Sequence, residues 1–325
     1  MTENRPAVAV VLAAGQGVRM RSKRAKVLHE VCGLPMLAFV LDAVRDAGVG
    51  DTVVVIGYGA GEVRARFADW DHPLRWVEQT EQKGTGHAVM VTEPELAGFD
   101  GDMVVVCGDN PLLSADTVAQ VMERHRAEGA SCTVVTAEVA DPTGYGRIAR
   151  APDGSVERIV EQRDASEDEK KIREINSGNY VFDARELFEG LKEITPDNDQ
   201  REYLLTDVVA VLRRRGRRVM SQAAPDASEV LGINSREQLA QAGKILQQRI
   251  QKRLMEAGIT IVDPQTTFIG PRVEIGTDTV VLPFTAIMGP SRVGSECRIG
   301  PFAYVRAGST IADGTDLSGF KEIGR

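Results

Sequence analysis

The sequence predicts an α/β domain built on a mostly parallel sheet, followed by a helix and a short β-solenoid. Three observations carry this. Short β-branched runs alternate with helical periodicity between residues 8 and 107. A capped amphipathic stretch covers 235–257. From position 269 onward an apolar residue stands at every sixth place.

The β-branched runs are VAVVLA at 8–13, TVVVI at 52–56, LRWVE at 74–78 and DMVVVC at 102–107. Between them, 35–47 and 85–97 carry apolar residues at helical spacing. Such alternation predicts parallel strands with helices on both faces, and ligands then bind beyond the carboxyl ends of the strands. Three unusual segments fall at those ends: Gly15 to Arg19, Gly84 to His87, and Gly108 to Pro111. From 147 to 163 the pattern becomes a hairpin, RIAR and SVERIVE around Pro152-Asp153-Gly154, with a further strand at 178–182. It reads as an insertion able to cover a substrate.

Ser235 and Gln238 have the spacing of a capping box, and Leu239, Ile245, Leu246, Ile250 and Leu254 form an apolar stripe ended by Gly258. This is read as a connecting helix over 235–258. Beyond it, positions 269, 275, 281 and on to 323 are all Ile, Val or Leu. Two residues before each stands a small or β-branched residue, with Lys321 the exception. A six-residue period fits neither an α-helical face nor a flat strand. It fits a solenoid whose short strands each send one aliphatic side chain into a stacked core. The organisation expected is therefore 1–234, 235–258 and 259–325.

The 325 residues are long enough for two domains, and a net charge of −8 argues against a nucleic-acid partner bound through bulk positive charge. Four cysteines without a C-x-x-C pair suggest neither disulfides nor a zinc cluster. The N-terminus runs straight into a strand too short for a signal peptide or membrane span, so a cytoplasmic protein is expected. The arginines from Arg213 to Arg218 suit a helix C-terminus and solvent.

The most informative stretch is LAAGQGVRMRSKRAKVL at 12–28. Gly15 and Gly17 let the backbone turn tightly against a phosphate, and Arg19 and Lys26 bring positive charge there. It is neither a P-loop nor a dinucleotide fingerprint, since Met20 stands at the third glycine position. A plain βα turn with solvated cations is the alternative. Asp109 follows the fourth strand at the ligand end of the sheet, though Asp-Asn-Pro also suits a simple turn.

L-A-A-G-x-G-x-R-M followed by a lysine resembles the signature of sugar nucleotidyltransferases. The segments from Glu81 to Ala88 and from Asp141 to Ile148 narrow the resemblance to the bacterial bifunctional N-acetylglucosamine-1-phosphate uridylyltransferases, whose second half is a hexapeptide-repeat acetyltransferase. It covers nearly the whole chain, with the hexapeptide part cut short. The resemblance implies a Rossmann-like nucleotidyltransferase domain, a left-handed β-helix, and a product that feeds the peptidoglycan of the cell wall.

By that resemblance Leu12, Ala13, Ala14 and Gly15 line the nucleotide site, Gln79 and Gly84 read uracil, and Thr85 is nearby. Arg19 and Lys26 contact the phosphates and serve catalysis. Gly146, Glu161, Asn176 and Asn234 hold the sugar, and Asp109 with Asn234 holds Mg²⁺, which favours few carboxylates plus phosphate and water oxygens. Asn110 departs from the family, where an apolar or small residue is usual. The implied substrates are UTP and N-acetylglucosamine 1-phosphate, with a homotrimer as the assembly. Other sugar-1-phosphate nucleotidyltransferases using dTTP, ATP or GTP are the near alternative, and a non-catalytic nucleotide-sugar sensor the distant one. Acetyl transfer is not expected. The family's histidine base lies in later coils, no histidine follows His125, and the Lys321–Arg325 ending departs from the pattern around the isolated Arg306.

Overall fold

The computed structural model describes residues 5–319 and 321–324. The first four residues, Phe320, Arg325 and the side chain of Lys321, the last two part of the divergent ending, lie outside the described residues. Two compact units emerge: Met1–His29 with Met36–Asn234, and Glu30–Pro35 with Ser235–Arg325.

The first unit is built on a nine-stranded sheet. Its strands are β1 (Ala7–Ala13), β2 (Asp51–Ile56), β3 (Arg75–Glu78), β4 (Asp102–Cys107), β5 (Cys132–Glu138), β6 (Gly146–Arg150), β7 (Val156–Val160), β8 (Glu174–Asp183) and β9 (Val219–Ala223). The order is β9-β5-β8-β4-β1-β2-β3, with the β6–β7 hairpin paired to β8. Val10 pairs with Val53 on one side and Val105 on the other, both parallel. Val8, Val10, Val53 and Val105 are fully buried, as covering both faces of a parallel sheet requires. The sheet is more mixed than expected, because β8 runs antiparallel between β4 and β5.

Helices α1 (Met36–Asp46), α2 (Ala60–Arg66), α3 (Thr85–Met90), α4 (Ala115–Ala127), α5 (Ala184–Leu191) and α6 (Thr206–Arg214) belong to this unit. The helix expected over 85–97 stops at Met90. Pro94 has no N–H to return to the Met90 carbonyl, which takes the Glu93 N–H at 3.0 Å instead. The Thr92 hydroxyl also bonds back to the Val89 carbonyl at 2.7 Å. The arginines after α6 spend their charge locally, Arg215 on Glu193 at 2.6 Å and Arg217 on Glu186 at 2.8 Å.

The second unit opens with α7 (Arg236–Glu256), whose Ser235–Gln238 capping box is formed. Strands then pair in parallel, residue to residue, eighteen apart: Ile269 with Ile287, Val273 with Ser291, Ile287 with Val305. Three hexapeptides make one coil, and Ile269, Val281, Ile287, Ile299 and Val305 are fully buried in its axis. This is a short left-handed β-helix of hexapeptide repeats. The first coil holds two extra residues, since Ile261 pairs with Val281.

Helix α7 is more than a connector, because Ile250 and Leu254 share the coil's core. Its glutamines also close the open strand edge of the first coil. Gln247 gives its Nε2 to the Ile269 carbonyl at 2.8 Å and accepts the Ile269 N–H at 3.0 Å. Gln251 donates to the carbonyls of Pro264 and Thr267. An exposed strand edge is a row of unpaired groups, and these amides cover it. Among the described residues no helix is long and apolar enough to cross a membrane.

Candidate active site

At the carboxyl ends of β1, β3 and β4 lies a cleft of about 300 Å³. Leu12 to Gly15 form one wall where β1 runs out, and Lys26, Gln79, Gly84 and Thr85 face them, so all eight expected nucleotide-site residues converge. Asp109 also lines it. Gly17 has φ +67°, and a Cβ there would stand 2.6 Å from Cβ of Lys26. The glycine therefore lets the loop fold over the lysine stem, which is why Lys26 is buried while Arg19, on the same loop, is exposed.

Lys26 points its ammonium between two oxygens. It forms a salt bridge with the Asp109 carboxylate and donates to Asn234 Oδ1 at 2.6 Å. Asp109 and Asn234 are brought together by the chain on either side of them. The Ile233 N–H binds the Asp109 carbonyl at 3.0 Å, and the Asn110 amide donates to the Glu229 carbonyl at 2.8 Å. The Glu229 carboxylate in turn accepts from the Ser114 hydroxyl at 2.8 Å, and Ser114 caps α4. Asn110, the departure from the family pattern, is thus a buried tie between the two segments.

An oxygen pair already converging on one cation is the donor set a hard divalent ion takes, with phosphate and water completing the shell. No group of three His, Cys, Asp or Glu among the described residues could hold a metal by itself. Asp109 and Asn234 are the residues that could hold a hard divalent ion, with its remaining ligands coming from outside the chain.

The Gly-Thr-Gly turn is fastened to the segment before α6. The Gly86 N–H donates to the Tyr203 carbonyl at 2.8 Å, and the Leu205 N–H donates to the Thr85 hydroxyl at 3.1 Å. Gly84 has φ +102°, and a Cβ there would meet the Tyr203 carbonyl at 2.5 Å. Gln79 is buried and gives its amide nitrogen to the Gly84 carbonyl and to His87 Nδ1, both at 3.0 Å. Gln82 donates to the Ala14 carbonyl at 2.7 Å, tying the third strand's loop to the first.

Gly146, Glu161 and Asn176 form a second group, apart from that cleft wall. A Cβ on Gly146 would lie 3.5 Å from Cβ of Asn176 and 3.6 Å from Oε1 of Glu161. Asn176 sits at a register shift in β8, where its amide donates to the Tyr180 hydroxyl at 2.7 Å and its oxygen accepts the Gly178 N–H. Burial raises the Glu161 carboxyl above the usual range, opposed by the Thr206 hydroxyl that it accepts at 3.2 Å. Arg19 meets neither group directly; burial first and then the Asp109 charge raise the Tyr145 phenol, and the Arg19 charge opposes them.

Sequence reasoning missed Gln82, Glu202 and Cys107, all of which line the cleft. Only Cys107 carried a signal, as the last residue of a strand at the ligand end. Burial first, then the Asp109 charge, pushes its thiol up to about 12, so it stays protonated. The His87 ring, which nothing in the sequence pairs with Gln79, stands with its Nδ1 3.0 Å from the Gln79 amide nitrogen.

The chain matches the MobA-like NTP transferase domain over residues 9–256. It is 44% identical to the bifunctional protein GlmU of Heliobacterium modesticaldum, across 97% of this chain and 75% of that protein. With GlmU of Acetivibrio thermocellus the identity is 42%, over the same shares. The chain belongs to the GlmU family. It is accordingly a nucleotidyltransferase, a UDP-N-acetylglucosamine pyrophosphorylase, and spans about three quarters of the length of these GlmU relatives. A crystal structure of UDP-glucose pyrophosphorylase complexed with UDP-glucose shares the fold, with TM-score 0.61 and 18% identity over 75% of this chain and 99% of that one.

Proposed function

We propose that this GlmU-family chain transfers a uridylyl group from UTP to N-acetylglucosamine 1-phosphate, by in-line attack of the sugar phosphate on the α-phosphorus with pyrophosphate leaving. The observation that carries the reading is the Lys26 ammonium held between Asp109 and Asn234, with Lys26 and Asp109 both lining the cleft. There a carboxylate and an amide oxygen converge on one positive charge.

The attacking phosphate is already anionic at neutral pH, so the chain needs no general base. Its task is to hold two anions together. The loop from Ala14 to Gly17 offers backbone N–H groups to the triphosphate. Asp109 and Asn234 would hold Mg²⁺, which supplies charge neutralisation at the α-phosphate and the sugar phosphate when bound. Lys26 then turns from those oxygens to the α-phosphate, and Arg19 neutralises the departing pyrophosphate. The amide hydrogens of Gln79 are taken by Gly84 and His87, which leaves its Oε1 to accept the N3–H of uracil. Gly146, Glu161 and Asn176 form the polar wall for the N-acetylated sugar.

The test is magnesium-dependent pyrophosphate release across four nucleoside triphosphates and several sugar 1-phosphates. Preference for UTP with N-acetylglucosamine 1-phosphate supports the reading; preference for dTTP, ATP or GTP, or for glucose 1-phosphate, overturns it. The same reading includes a homotrimer assembled through the coil, where Phe284 and Phe302 stack on the surface with ring centroids 5.2 Å apart. Light scattering showing a monomer at micromolar concentration would count against that assembly.

A further inference from the structure

We infer that the Lys26 ammonium is a tethered competitor for the divalent ion of Asp109 and Asn234, so that the chain takes up the ion together with the nucleotide and holds it weakly without one. The inference rests on the reading that these two residues hold the ion. Lys26 Nζ forms a salt bridge with Asp109 Oδ2 and donates to Asn234 Oδ1 at 2.6 Å. Those are the oxygens that the pair would offer to an ion standing between them. Magnesium takes such oxygens at about 2.1 Å, so an ion bound to both would lie against the ammonium, like charge to like. One of the two cations has to leave.

The charges make the competition strong. Asp109 carries the single negative charge of the pair, Asn234 carries none, and Lys26 cancels it, so an ion approaching from water meets a neutral site. The Lys26 side chain is 10% exposed and that of Asp109 23%, which limits how far solvent screens their contact. No group of three His, Cys, Asp or Glu stands there among the described residues to restore a negative balance.

The nucleotide relieves the competition, because the lysine stem lies against the loop that is read as holding the triphosphate. A Cβ on Gly17 would stand 2.6 Å from Cβ of Lys26 and 2.9 Å from its Cγ and Cδ, so loop and stem touch along most of the side chain. Gly15 and Lys26 also line the same cleft. A polyphosphate there offers the ammonium more negative charge than Asp109 and Asn234 supply together, and the ion inherits the two oxygens that Lys26 gives up. Ion and nucleotide thus promote each other's binding, and the promotion is reciprocal. Part of that coupling comes from phosphate oxygens on the ion itself. The other part comes from the departure of Lys26, and only this part depends on residue 26.

The experiment measures Mn²⁺ binding to the full chain without nucleotide, by loss of the electron paramagnetic resonance signal of the free ion, at neutral pH and constant ionic strength. In Lys26→Met the ion should bind at least about tenfold more tightly than in wild type, within the usual range of such couplings. Lys26→Gln, which also removes the charge, should shift the same way, and Lys26→Arg, which keeps it, should stay within about threefold of wild type. Added UTP should then tighten Mn²⁺ binding by a smaller factor in Lys26→Met than in wild type. Tryptophan fluorescence checks that each variant is folded. Equal or weaker Mn²⁺ binding in both Lys26→Met and Lys26→Gln overturns the inference. The double variant Lys26→Met/Asp109→Asn separates it from the reading beneath it: a gain that disappears there places the ion at Asp109, and a gain that survives removes Asp109 as its ligand. If Lys26→Met brings no gain while Asp109→Asn still weakens Mn²⁺ binding in the presence of UTP, only the present inference falls.

Discussion

In the coil, partners are eighteen residues apart and pair strand to strand in a fixed register, whereas in the α/β unit Lys26 meets Asp109 and Asn234 across separations of 83 and 208 residues. The coil repeats one local rule, so each apolar sixth position goes to the axis because its neighbours above and below do the same. The site in the α/β unit has no repeat. It exists because three chain segments end at one edge of a sheet and are then tied together by Asn110, Glu229 and Ser114. A period in sequence therefore specifies packing, while a site needs topology.

The comparison can be broken most sharply at Asp109. Asp109→Asn keeps the shape and removes one charge from an arrangement whose work is electrostatic, so turnover in magnesium-dependent pyrophosphate release should fall at least about a hundredfold while the fold survives. A near-normal rate would mean that the meeting of Lys26, Asp109 and Asn234 is structural. The matching change in the coil is Ile299→Ala, at a fully buried axial position. It should cost about 2–5 kcal/mol and loosen amide protection in the paired strands at Val280–Val281 and Asp316–Leu317. Hydrogen exchange that stays unchanged in those segments would contradict a stack held by nearest neighbours.

Acid separates the two regions in another way. Among the described residues the coil buries no carboxylate or imidazole, while the α/β unit buries Asp102 and His125 beside Arg5 and Arg126. Burial first holds the His125 imidazole down to about 4, against an ordinary 6.5; Arg5 and Arg126 lower it further, and Asp102 and Asp183 oppose them. The unfolded chain takes up a proton between pH 6.5 and 4 that the folded chain refuses. This contribution is complete above pH 6.5 and is lost as pH falls toward 4, amounting to about 3 kcal/mol. Both tryptophans, Trp70 and Trp76, lie in the α/β unit, so their fluorescence follows that unit alone. Urea midpoints read this way should drop less steeply with acid in His125→Phe than in wild type; parallel slopes would remove His125 as the cause.

How far the sequence could be read follows the same division. The six-residue period, the capping box and the four short strand runs are visible because each is a local pattern. So is the Gly-rich loop, although only the resemblance to a family turns Gln79, Gly146, Glu161 and Asn176 from polar residues into candidates. The end of α3 depends on Pro94, a signal that the helical spacing over 85–97 masks. The antiparallel placement of β8 and the tie through Glu229 were not legible, because neither leaves a trace in spacing. His87 and Gln79 lie eight residues apart, and nothing in that interval says that a ring nitrogen will meet an amide.

The smallest effect expected is also the one that best distinguishes a glycine needed by the fold from one needed by the ligand. Gly15 and Gly84 both border the cleft. At Gly84 a Cβ would collide with the Tyr203 carbonyl at 2.5 Å and the backbone has φ +102°, so any side chain there strains the protein itself. At Gly15 a Cβ would meet nothing within 4 Å. Gly15→Ala should therefore leave the unfolding free energy within about 0.5 kcal/mol of wild type, as exposed changes without a partner do. Its side chain would stand only in space open to a ligand. If the loop cradles the triphosphate through its backbone, KM for UTP should rise several-fold in Gly15→Ala with stability unchanged. Unchanged KM with unchanged stability would place the phosphates elsewhere in the cleft, and lowered stability would show that the protein itself uses the space beside Gly15.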